Sequence, residues 1–467
     1  MEEFSVDEHP HKRFNILTNG WVLVSPHRAK RPWLGQTSDK QDNRGPPLDI
    51  EGNPLTVDPG CYLCPNNSRA GATVQQNPDY KSVYIFDNDF PAVLTDQPEY
   101  KTADLFALVD DNDLTNSLFS ISPVRGKCRV ICYSPNHYET FADLSTPQIK
   151  SVIYNWMKIY YDFSIPPPHL ISPGIVNYVQ IFENKGAEMG CSNPHPHGQV
   201  WALEKVSEQV ENEIANMKAY SSKHLLDIPS SKSSAENKLQ RLNEDGASMR
   251  CMLCDYVKIE LKTAHNDKIK SNRVVFENES FVALVPFWAT WPFETLVLPK
   301  LHITNICQLL NPSKKPNGDS NACFNDYIKL SETNSNNLVS VKEIGEILSQ
   351  FSDINSEEVL KLSDTSPLQT QLVEDFSSIL SKLTKTYDNL FETSFPYSMG
   401  IHQDPVLNHA DSGYCHLHLH FYPPLLRNSK IKKFFVGYEM LGEPQRDLSP
   451  EMAAQRLRDA IPKDIRD

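Results

Sequence analysis

The sequence predicts an α+β protein made of two similar halves, each with an antiparallel sheet flanked by helices. Along the 467 residues, short β-branched and aromatic runs bounded by Pro, Gly and Asn alternate with helical patterns. Four landmarks also occur twice in the same order: a Cys-x-x-Cys pair, a Phe-Asp-Asn or Phe-Glu-Asn motif, a strand pattern with a histidine, and a His-x-His pair. Because chance would have to produce four ordered coincidences, a duplication is the better explanation.

Strand and helix patterns follow one another through the first half. Strands are predicted over 21–26, 82–94, 128–135 and 176–184. A helix is predicted over 147–163, because apolar residues recur at helical spacing after an Asp-Leu-Ser-Thr start signal. A polar helix over 206–220 leads into an exposed linker over 230–238.

The pattern restarts in the second half, so the chain divides into three parts. These are an N-terminal half (1–205), a helical and polar linker (206–250) and a C-terminal half (251–467). Within the last part, residues 311–370 are rich in Ser, Asn, Asp and Lys and have no counterpart in the first half. They predict a surface insertion, after which a helix resumes over 369–391.

Composition excludes several classes of protein. The net charge of −14 disfavours non-specific binding to nucleic acid, so an anionic ligand must meet a local basic cluster. No apolar run approaches the roughly 20 residues of a membrane span, and the polar, acidic start does not resemble a signal peptide. Ten cysteines without a secretory signal indicate thiols and metal ligands in a cytoplasmic protein.

The first Cys-x-x-Cys pair, Cys61 and Cys64, predicts a zinc site. His137 and His195 stand at the other landmark positions and complete the four Cys and His ligands of a closed tetrahedral site. The alternative is a redox pair or two buried thiols. We favour a structural zinc ion that fixes the loop leading to His195.

The segment MGCSNPHPHGQVW, residues 189–201, places His195, His197 and Gln199 at alternate positions. In an extended strand these side chains share one face. With His195 on a metal, a neutral His197 imidazole could attack phosphorus and form a phosphoramidate. Gln199 could bind a phosphoryl oxygen without protonating a leaving group, and Gly198 would leave room for a phosphate. The alternative is a polar loop with incidental histidines.

Two further clusters bear on ligands. Arg28, Lys30 and Arg31 could bind phosphate; standing alone they would be better explained as a solvated basic turn, but beside a candidate phosphoryl nucleophile in an acidic protein we favour phosphate binding. His416, His418 and His420 alternate after His402 and indicate a zinc or iron site. The alternative is a strand whose histidines are satisfied by other protein groups.

Three long motifs carry a resemblance to a known family. Residues 182–201 (FENKGAEMGCSNPHPHGQVW), 419–427 (LHFYPPLLR) and 432–441 (KKFFVGYEML) resemble the galactose-1-phosphate uridylyltransferases of the histidine-triad superfamily, and the resemblance extends over nearly the whole chain. It implies two histidine-triad-like α/β halves and a homodimer. It also implies a ping-pong reaction in which UDP-glucose and galactose-1-phosphate give UDP-galactose and glucose-1-phosphate.

The resemblance also implies roles for particular residues. His197 would be the nucleophile, Gln199 would contact the phosphoryl group, and Gly190, Cys191 and Ser192 would lie beside it. Substrate contacts are implied for Arg28, Arg31, Asn88, Asp89, Asn184, Lys433, Phe434, Val436, Tyr438, Glu439 and Gln445. The C-terminal members of this set would bind sugar or phosphate groups, partly across a dimer interface.

The family pattern implies two metals. Zinc would be held by Cys61, Cys64, His137 and His195, and iron or a second zinc by Glu213, His402, His418 and His420. Nothing in the polar segment around Glu213 would mark it without the resemblance. The second cysteine pair, Cys251 and Cys254, is not part of this pattern. A zinc there could recruit His302 and compete for His418, so we interpret the pair as vestigial.

Two other classes compete with a uridylyltransferase. A histidine-triad hydrolase usually has a third histidine where this chain has Gln199, and a dinucleoside polyphosphate phosphorylase would lack the segment FFVGYEML. A non-catalytic zinc-binding adaptor would not need Arg28, Arg31 and His197 together.

Overall fold

The computed structural model describes most of the chain outside a few segments. The described residues are 9–26, 46–71, 75–96, 112–166, 170–172, 174–224, 250–266, 268–269, 271–310, 345–348, 359, 361, 370–406, 412–428, 431–433 and 436–466. The predicted linker over 230–238 and nearly all of the predicted insertion over 311–370 lie outside them. The proposed division at 205 and 251 therefore stays a prediction.

Fourteen strands are assigned within the described residues. They are β1 (His11–Asn15), β2 (Gly20–Val24), β3 (Tyr84–Asp87), β4 (Gly126–Cys132), β5 (Tyr178–Lys185), β6 (His197–Leu203), β7 (Val274–Glu277), β8 (Phe281–Leu284), β9 (Thr295–Pro299), β10 (Tyr397–His402), β11 (His418–Tyr422), β12 (Leu425–Asn428), β13 (Ile431–Lys433) and β14 (Gln445–Arg446).

The α-helices vary in length from a single turn to several turns. They are α1 (Asn112–Leu118), α2 (Thr146–Ser164), α3 (Glu208–Lys223), α4 (Met252–Ala264), α5 (Gln371–Leu390), α6 (Tyr438–Leu441) and α7 (Pro450–Asp459). No helix in the described part of the chain combines the length and the apolar character needed to cross a membrane.

One nine-stranded antiparallel sheet organises the molecule, in the order β3-β4-β6-β5-β10-β11-β9-β8-β7. β5 of the first half pairs with β10 of the second half, from Tyr397 opposite Lys185 to Ile401 opposite Ile181. Two smaller sheets, β1-β2-β14 and β12-β13, complete the fold. The predicted α+β class with antiparallel sheets is confirmed.

The two faces of the large sheet differ in chemistry. Alternate residues such as Ile181, Val200 and Ile401 point to one face and are buried against α2 and α5 in a continuous core. The intervening residues of β6, β5, β10 and β11 point to the other face and include polar groups. The helices are predicted correctly because their apolar residues recur at helical spacing.

Local signals set where these helices begin. The backbone N–H of Ser145 donates to Oε1 of Gln148 at 2.9 Å, and Pro147 occupies the first turn of α2. The hydroxyl of Thr370 accepts from the N–H of Val373 at 3.2 Å and caps α5.

A buried network of ion pairs joins β1 in the first half to α7, α4 and the start of β7 in the second half. Arg13 on β1 makes a bidentate pair with Glu451 on α7, with both distances 2.9 Å. Arg273 also binds Glu451 at 2.7 Å and pairs with Glu260 on α4 at 2.9 Å. All four residues are buried. Removing one member would leave a buried charge without compensation.

We therefore expect Glu451→Gln to lower the free energy of unfolding by about 3 kcal/mol, because Arg13 and Arg273 would both lose a charged partner. The matched control is Asp79→Asn, which breaks the exposed pair between Asp79 and Lys81 and should cost far less, because solvent screens an exposed pair. Urea unfolding of both variants measures the difference. Equal losses would show that the buried network adds no more than a surface pair.

The buried carboxyl group of Glu183 makes the stability of the fold depend on pH. Burial raises the pKa of Glu183 on β5 to about 8, although Lys185 and Tyr397 oppose the shift. Between its ordinary pKa and this value, the unfolded chain releases a proton that the folded chain keeps. The contribution of protonated Glu183 to the free energy of unfolding is therefore complete at low pH and is lost as the pH rises toward 8.

Glu183→Gln removes this titration. We expect the variant to gain stability relative to the unmodified protein by about 3 kcal/mol between pH 5 and pH 7.5. Unfolding midpoints at both pH values test this expectation. A stability difference that does not change with pH would contradict it.

Candidate functional site

β6 presents the predicted nucleophile on the polar face of the sheet. His197 is its first residue and lies on the same face as Gln199, as predicted from alternation. The prediction that His195 shares this strand is wrong, because the chain bends at His195 and Pro196 before β6 begins. His195 turns inward instead and joins the first cysteine pair.

The orientation of the His197 ring is fixed by the backbone. Its Nδ1–H donates to the carbonyl oxygen of His195 at 2.7 Å. Since a carbonyl only accepts, the tautomer has its lone pair on Nε2. Burial lowers the pKa of His197 below its ordinary value. The side chain thus offers a neutral, oriented nitrogen nucleophile.

The loop before β6 turns sharply and carries Gly190, Cys191 and Ser192, which are predicted to contact substrate. Gly186 and Gly190 have φ values of +90° and +78°, which favour glycine. The Cys191 thiol donates to the carbonyl of Asn193 at 3.0 Å, and burial raises the pKa of this thiol. The Ser192 hydroxyl lies 3.4 Å from that of Tyr62.

Gly198 has a different role from the one predicted. A Cβ atom at this position would stand 2.2 Å from the hydroxyl of Tyr133 and 3.0 Å from the carbonyl oxygen of Phe182. Because Gly198 alternates with His197 and Gln199, its missing side chain faces the core. The residue accommodates Tyr133 and does not make room for a phosphate.

The four predicted ligands Cys61, Cys64, His137 and His195 meet in one buried cluster. Nδ1 of His137 lies 3.5 Å from the sulfur of Cys64, and Nδ1 of His195 lies 3.6 Å from it. In a tetrahedral zinc site, ordinary Zn–S and Zn–N bonds place sulfur and nitrogen about 3.6 Å apart. The donor set and its spacing therefore fit a zinc ion.

Neighbouring groups orient the histidines of this cluster. The Nε2–H of His195 donates to the carbonyl of Ser134 at 2.9 Å, which leaves Nδ1 free of its proton. Nε2 of His137 lies 3.6 Å from a carboxylate oxygen of Asp58. The sequence pattern placed His137 within a strand, and this prediction is wrong, because β4 ends at Cys132 and His137 lies in the turn that follows.

The second predicted metal set also comes together. Glu213 on α3 reaches the polar face of β10 and β11. Its carboxylate lies 2.8 Å from Nδ1 of His402, 3.3 Å from Nε2 of His418 and 3.8 Å from Nε2 of His420. The Nε2 atoms of His418 and His420 are buried and make no hydrogen bond to any described residue.

The charges of this cluster also suit a cation. Burial works to raise the pKa of Glu213, but the neighbouring His402 and His418 hold it well below its ordinary value. Burial, with His402 and His418, lowers the pKa of His420 and keeps that ring neutral. An ionised carboxylate and three imidazoles whose ligand atoms lie within 4.8 Å of one another fit iron or zinc.

The two chemical centres share one face of the sheet but do not touch. Gln199, Phe182, Gly400 and His420 are directly opposite one another on four adjacent strands. Three strand spacings separate Gln199 from His420 by about 14 Å. A cavity of about 520 Å³ lies on the His420 side and is lined by Glu213, His402, Trp291 and Glu294 among others.

His416 departs from the other C-terminal histidines. It precedes β11 and so does not share the face of His418 and His420. Its ring lies with Cys251, Cys254 and His302 in a third buried cluster. The predicted competition for His418 is therefore wrong, because His416 takes that position.

The first-half residues predicted to contact sugar and nucleotide lie at or near strand ends. Asn88 and Asp89 follow β3, and Asn184 on β5 accepts from the hydroxyl of Ser398 at 2.7 Å. Arg69 binds Asp89 at 2.8 Å and lies 3.9 Å over the ring of Phe86. Sequence reasoning missed Arg69, because an isolated arginine in a turn carries no pattern.

Of the residues predicted to contact substrate in the second half, four have described side chains. Val436 and Tyr438 are exposed, Glu439 lies 3.6 Å from Arg446, and Gln445 is buried on β14. Arg28, Arg31 and Phe434 lie outside the described residues, as does the side chain of Lys433.

Family comparisons cover nearly the whole chain. The N-terminal domain of galactose-1-phosphate uridyl transferase matches residues 2–207, and the C-terminal domain matches residues 213–466. The galactose-1-phosphate uridylyltransferase of Saccharomyces cerevisiae is 39% identical over 458 residues, which is 98% of this chain and 96% of that protein. That of Haemophilus influenzae is 39% identical over 455 residues, which is 97% of this chain and 95% of that protein.

Solved structures agree on the fold. A uridylyltransferase structure has a TM-score of 0.53 and 21% identity, covering 96% of this chain and 97% of that chain. An ADP-glucose phosphorylase from Arabidopsis thaliana, solved with bound ADP-glucose, has a TM-score of 0.53 and 19% identity, covering 97% and 99%. The two domain matches and the relatives that match over nearly their whole length show that the chain belongs to the galactose-1-phosphate uridyl transferase family.

Proposed function

We propose that this chain is an enzyme that transfers a uridylyl group from UDP-glucose to galactose-1-phosphate through a covalent intermediate on His197. The observation that carries the proposal is the hydrogen bond from Nδ1 of His197 to the carbonyl of His195. It directs the lone pair of Nε2 away from the backbone. Relatives at 39% identity that carry this activity in their names support the choice of substrates.

The proposed reaction has two displacements. Nε2 of His197 attacks the α-phosphorus of UDP-glucose, and the P–O bond to the β-phosphate breaks and releases glucose-1-phosphate. A phosphate oxygen of galactose-1-phosphate then attacks the same phosphorus. The P–N bond breaks, the lone pair returns to Nε2, and UDP-galactose leaves.

Gln199 supports transfer over hydrolysis. Its Oε1 accepts from the indole N–H of Trp201 at 3.4 Å, which directs the amide nitrogen of Gln199 away from that indole. An amide N–H donates to a phosphoryl oxygen but has no acidic proton to give to a leaving group. The covalent nucleotide can then persist until the acceptor sugar phosphate binds.

We assign structural metals to both predicted sites. Zinc suits Cys61, Cys64, His137 and His195, whose four protein ligands leave no open position for substrate. Iron or a second zinc suits Glu213, His402, His418 and His420. The first metal would stiffen the loop that carries the His195 carbonyl, so it would act on His197 through that hydrogen bond.

We also propose a cytoplasmic homodimer. Exposed apolar side chains gather on and beside α6, where Val436, Tyr438, Met440 and Leu441 are each more than half exposed. A partner subunit would cover such a patch. This supports the predicted roles of Val436, Tyr438 and Glu439 close to an interface.

The nucleophile is tested by intact mass after mixing the protein with UDP-glucose without acceptor, followed by peptide mapping. We expect one uridylyl adduct on His197 and none in His197→Gln, because the amide has no nucleophilic nitrogen lone pair. The matched control His265→Gln, an exposed histidine paired with Glu277, should form the adduct normally. An adduct on another residue, or one formed more readily from ADP-glucose, would refute the assignment.

The second metal site is tested by metal content. We expect Glu213→Gln to lose one metal ion per chain, because it removes the only carboxylate among the ligands of that described cluster. Glu211→Gln on the exposed side of the same helix is the control and should keep its full metal content. Elemental analysis of both purified proteins gives the count. Unchanged metal in Glu213→Gln would contradict this ligand assignment.

A further inference from the structure

We infer that Cys251, Cys254, His302 and His416 form a third metal site, which takes a tetrahedral zinc ion. The sequence led us to interpret this cysteine pair as vestigial, because a zinc there had to share His418 with the second site. The structure removes that conflict, since each of the three described clusters has its own four ligands. The inference does not depend on the proposed reaction.

The spacing of the donor atoms fits a tetrahedral metal. Nδ1 of His416 lies 3.4 Å from the sulfur of Cys251 and 3.5 Å from that of Cys254. Nδ1 of His302 lies 3.8 Å from the sulfur of Cys254. Bonds of ordinary length to a zinc ion at the centre would place these atoms about 3.6 Å apart.

The cluster reproduces the first zinc site in ring geometry. The rings of His302 and His416 are 5.7 Å apart with an interplanar angle of 56°. The rings of His137 and His195 are 5.7 Å apart with an angle of 57°. Two unrelated pairs of histidines would not be expected to adopt the same mutual orientation beside a Cys-x-x-Cys pair.

The surrounding backbone is also equivalent. The Nε2–H of His416 donates to the carbonyl of Pro299 at 3.3 Å, as that of His195 donates to the carbonyl of Ser134. His302 follows Pro299 by three residues, and His137 follows Ser134 by the same number. In both sites the carbonyl holds the proton on Nε2 and directs the Nδ1 lone pair to the sulfurs.

Burial makes a metal the simplest partner for these groups. Cys251, Cys254, His302 and His416 are 5%, 8%, 3% and 1% exposed. Two thiols and two imidazoles would be costly to collect in the interior without a group that satisfies them together. Two sulfur and two nitrogen donors select zinc over oxygen-seeking cations, and four protein ligands leave no position for a substrate.

The position of the site gives it a structural task. Cys251 is the N-cap of α4, His302 lies in the loop after β9, and His416 precedes β11. A metal would join these three elements. The carbonyl of His416 also accepts from Nδ1–H of His418 at 2.7 Å, so the third site would fix the ring that faces Glu213.

The test uses the full-length protein produced in cells supplied with cobalt, which gives a sulfur-to-cobalt absorption band only where thiolates bind the metal. We expect three metal ions per chain in the unmodified protein by native mass spectrometry. Cys251→Ser/Cys254→Ser should lower the band two-fold, and Cys61→Ser/Cys64→Ser should do the same. Because the Glu213 cluster has no thiolate, a metal bound there does not change the intensity of the sulfur-to-cobalt band.

The control is Cys128→Ala/Cys307→Ala, which removes two buried cysteines that belong to none of the three described clusters. Its band should be unchanged. An unchanged band in Cys251→Ser/Cys254→Ser, or a disulfide between these residues, would overturn the third site. If that variant does not fold, the thiolate-to-cobalt band of the unmodified protein still decides: an intensity for two sulfur-ligated cobalt ions per chain would support the inference, and an intensity for one would refute it.

Discussion

The pairing of β5 with β10 is the contact on which the rest of the structure depends. Five consecutive residue pairs join a strand of the first half to a strand of the second half. Through them two half-sheets become one, with a continuous core of α2 and α5 on one face. The polar residues of both halves then lie on the other face, and Gln199 and His420 occupy the same line across four strands.

Both halves contain the same local arrangement of two histidines, but the second histidine faces different groups in each half. A histidine before the strand turns to a Cys-x-x-Cys pair, and its carbonyl accepts from Nδ1–H of the next histidine at 2.7 Å. In the first half this leaves Nε2 of His197 on the side of the predicted substrate contacts. In the second half it directs Nε2 of His418 toward Glu213. The difference comes from α3, which supplies a carboxylate to the second half.

Buried ion pairs and buried clusters of cysteine and histidine lie at the periphery of this sheet. Glu451 holds Arg13 and Arg273 together and so connects β1, α7 and the start of β7. The cysteine clusters bring together loops at the ends of β4 and β9, and the proposed metals would fasten them. Polar groups of this kind are stable in the interior only when all their members are present, which makes them points of high specificity.

The sequence by itself determined the α+β class, the duplication, the main helices and the position of His197 and Gln199 on one strand. These follow from periodicity and repeated motifs, which are local properties of the chain. The four residues of the first cluster could be predicted because Cys61, Cys64 and the histidines recur as landmarks. The resemblance to a family was needed for Glu213, because a carboxylate in a polar helix carries no signal of its own.

Only the tertiary structure decided where His416 and Gly198 point, and that His195 lies before the strand of His197 and not on it. Alternation predicts a shared face only while the strand continues, and the chain bends before both β6 and β11. That bend sends His195 and His416 to their cysteine pairs and frees His418 for Glu213. Likewise Gly198 is explained by Tyr133, which is distant in sequence and reaches Gly198 only when β4 pairs with β6. Contacts between strands depend on register, and register is set by the folded core.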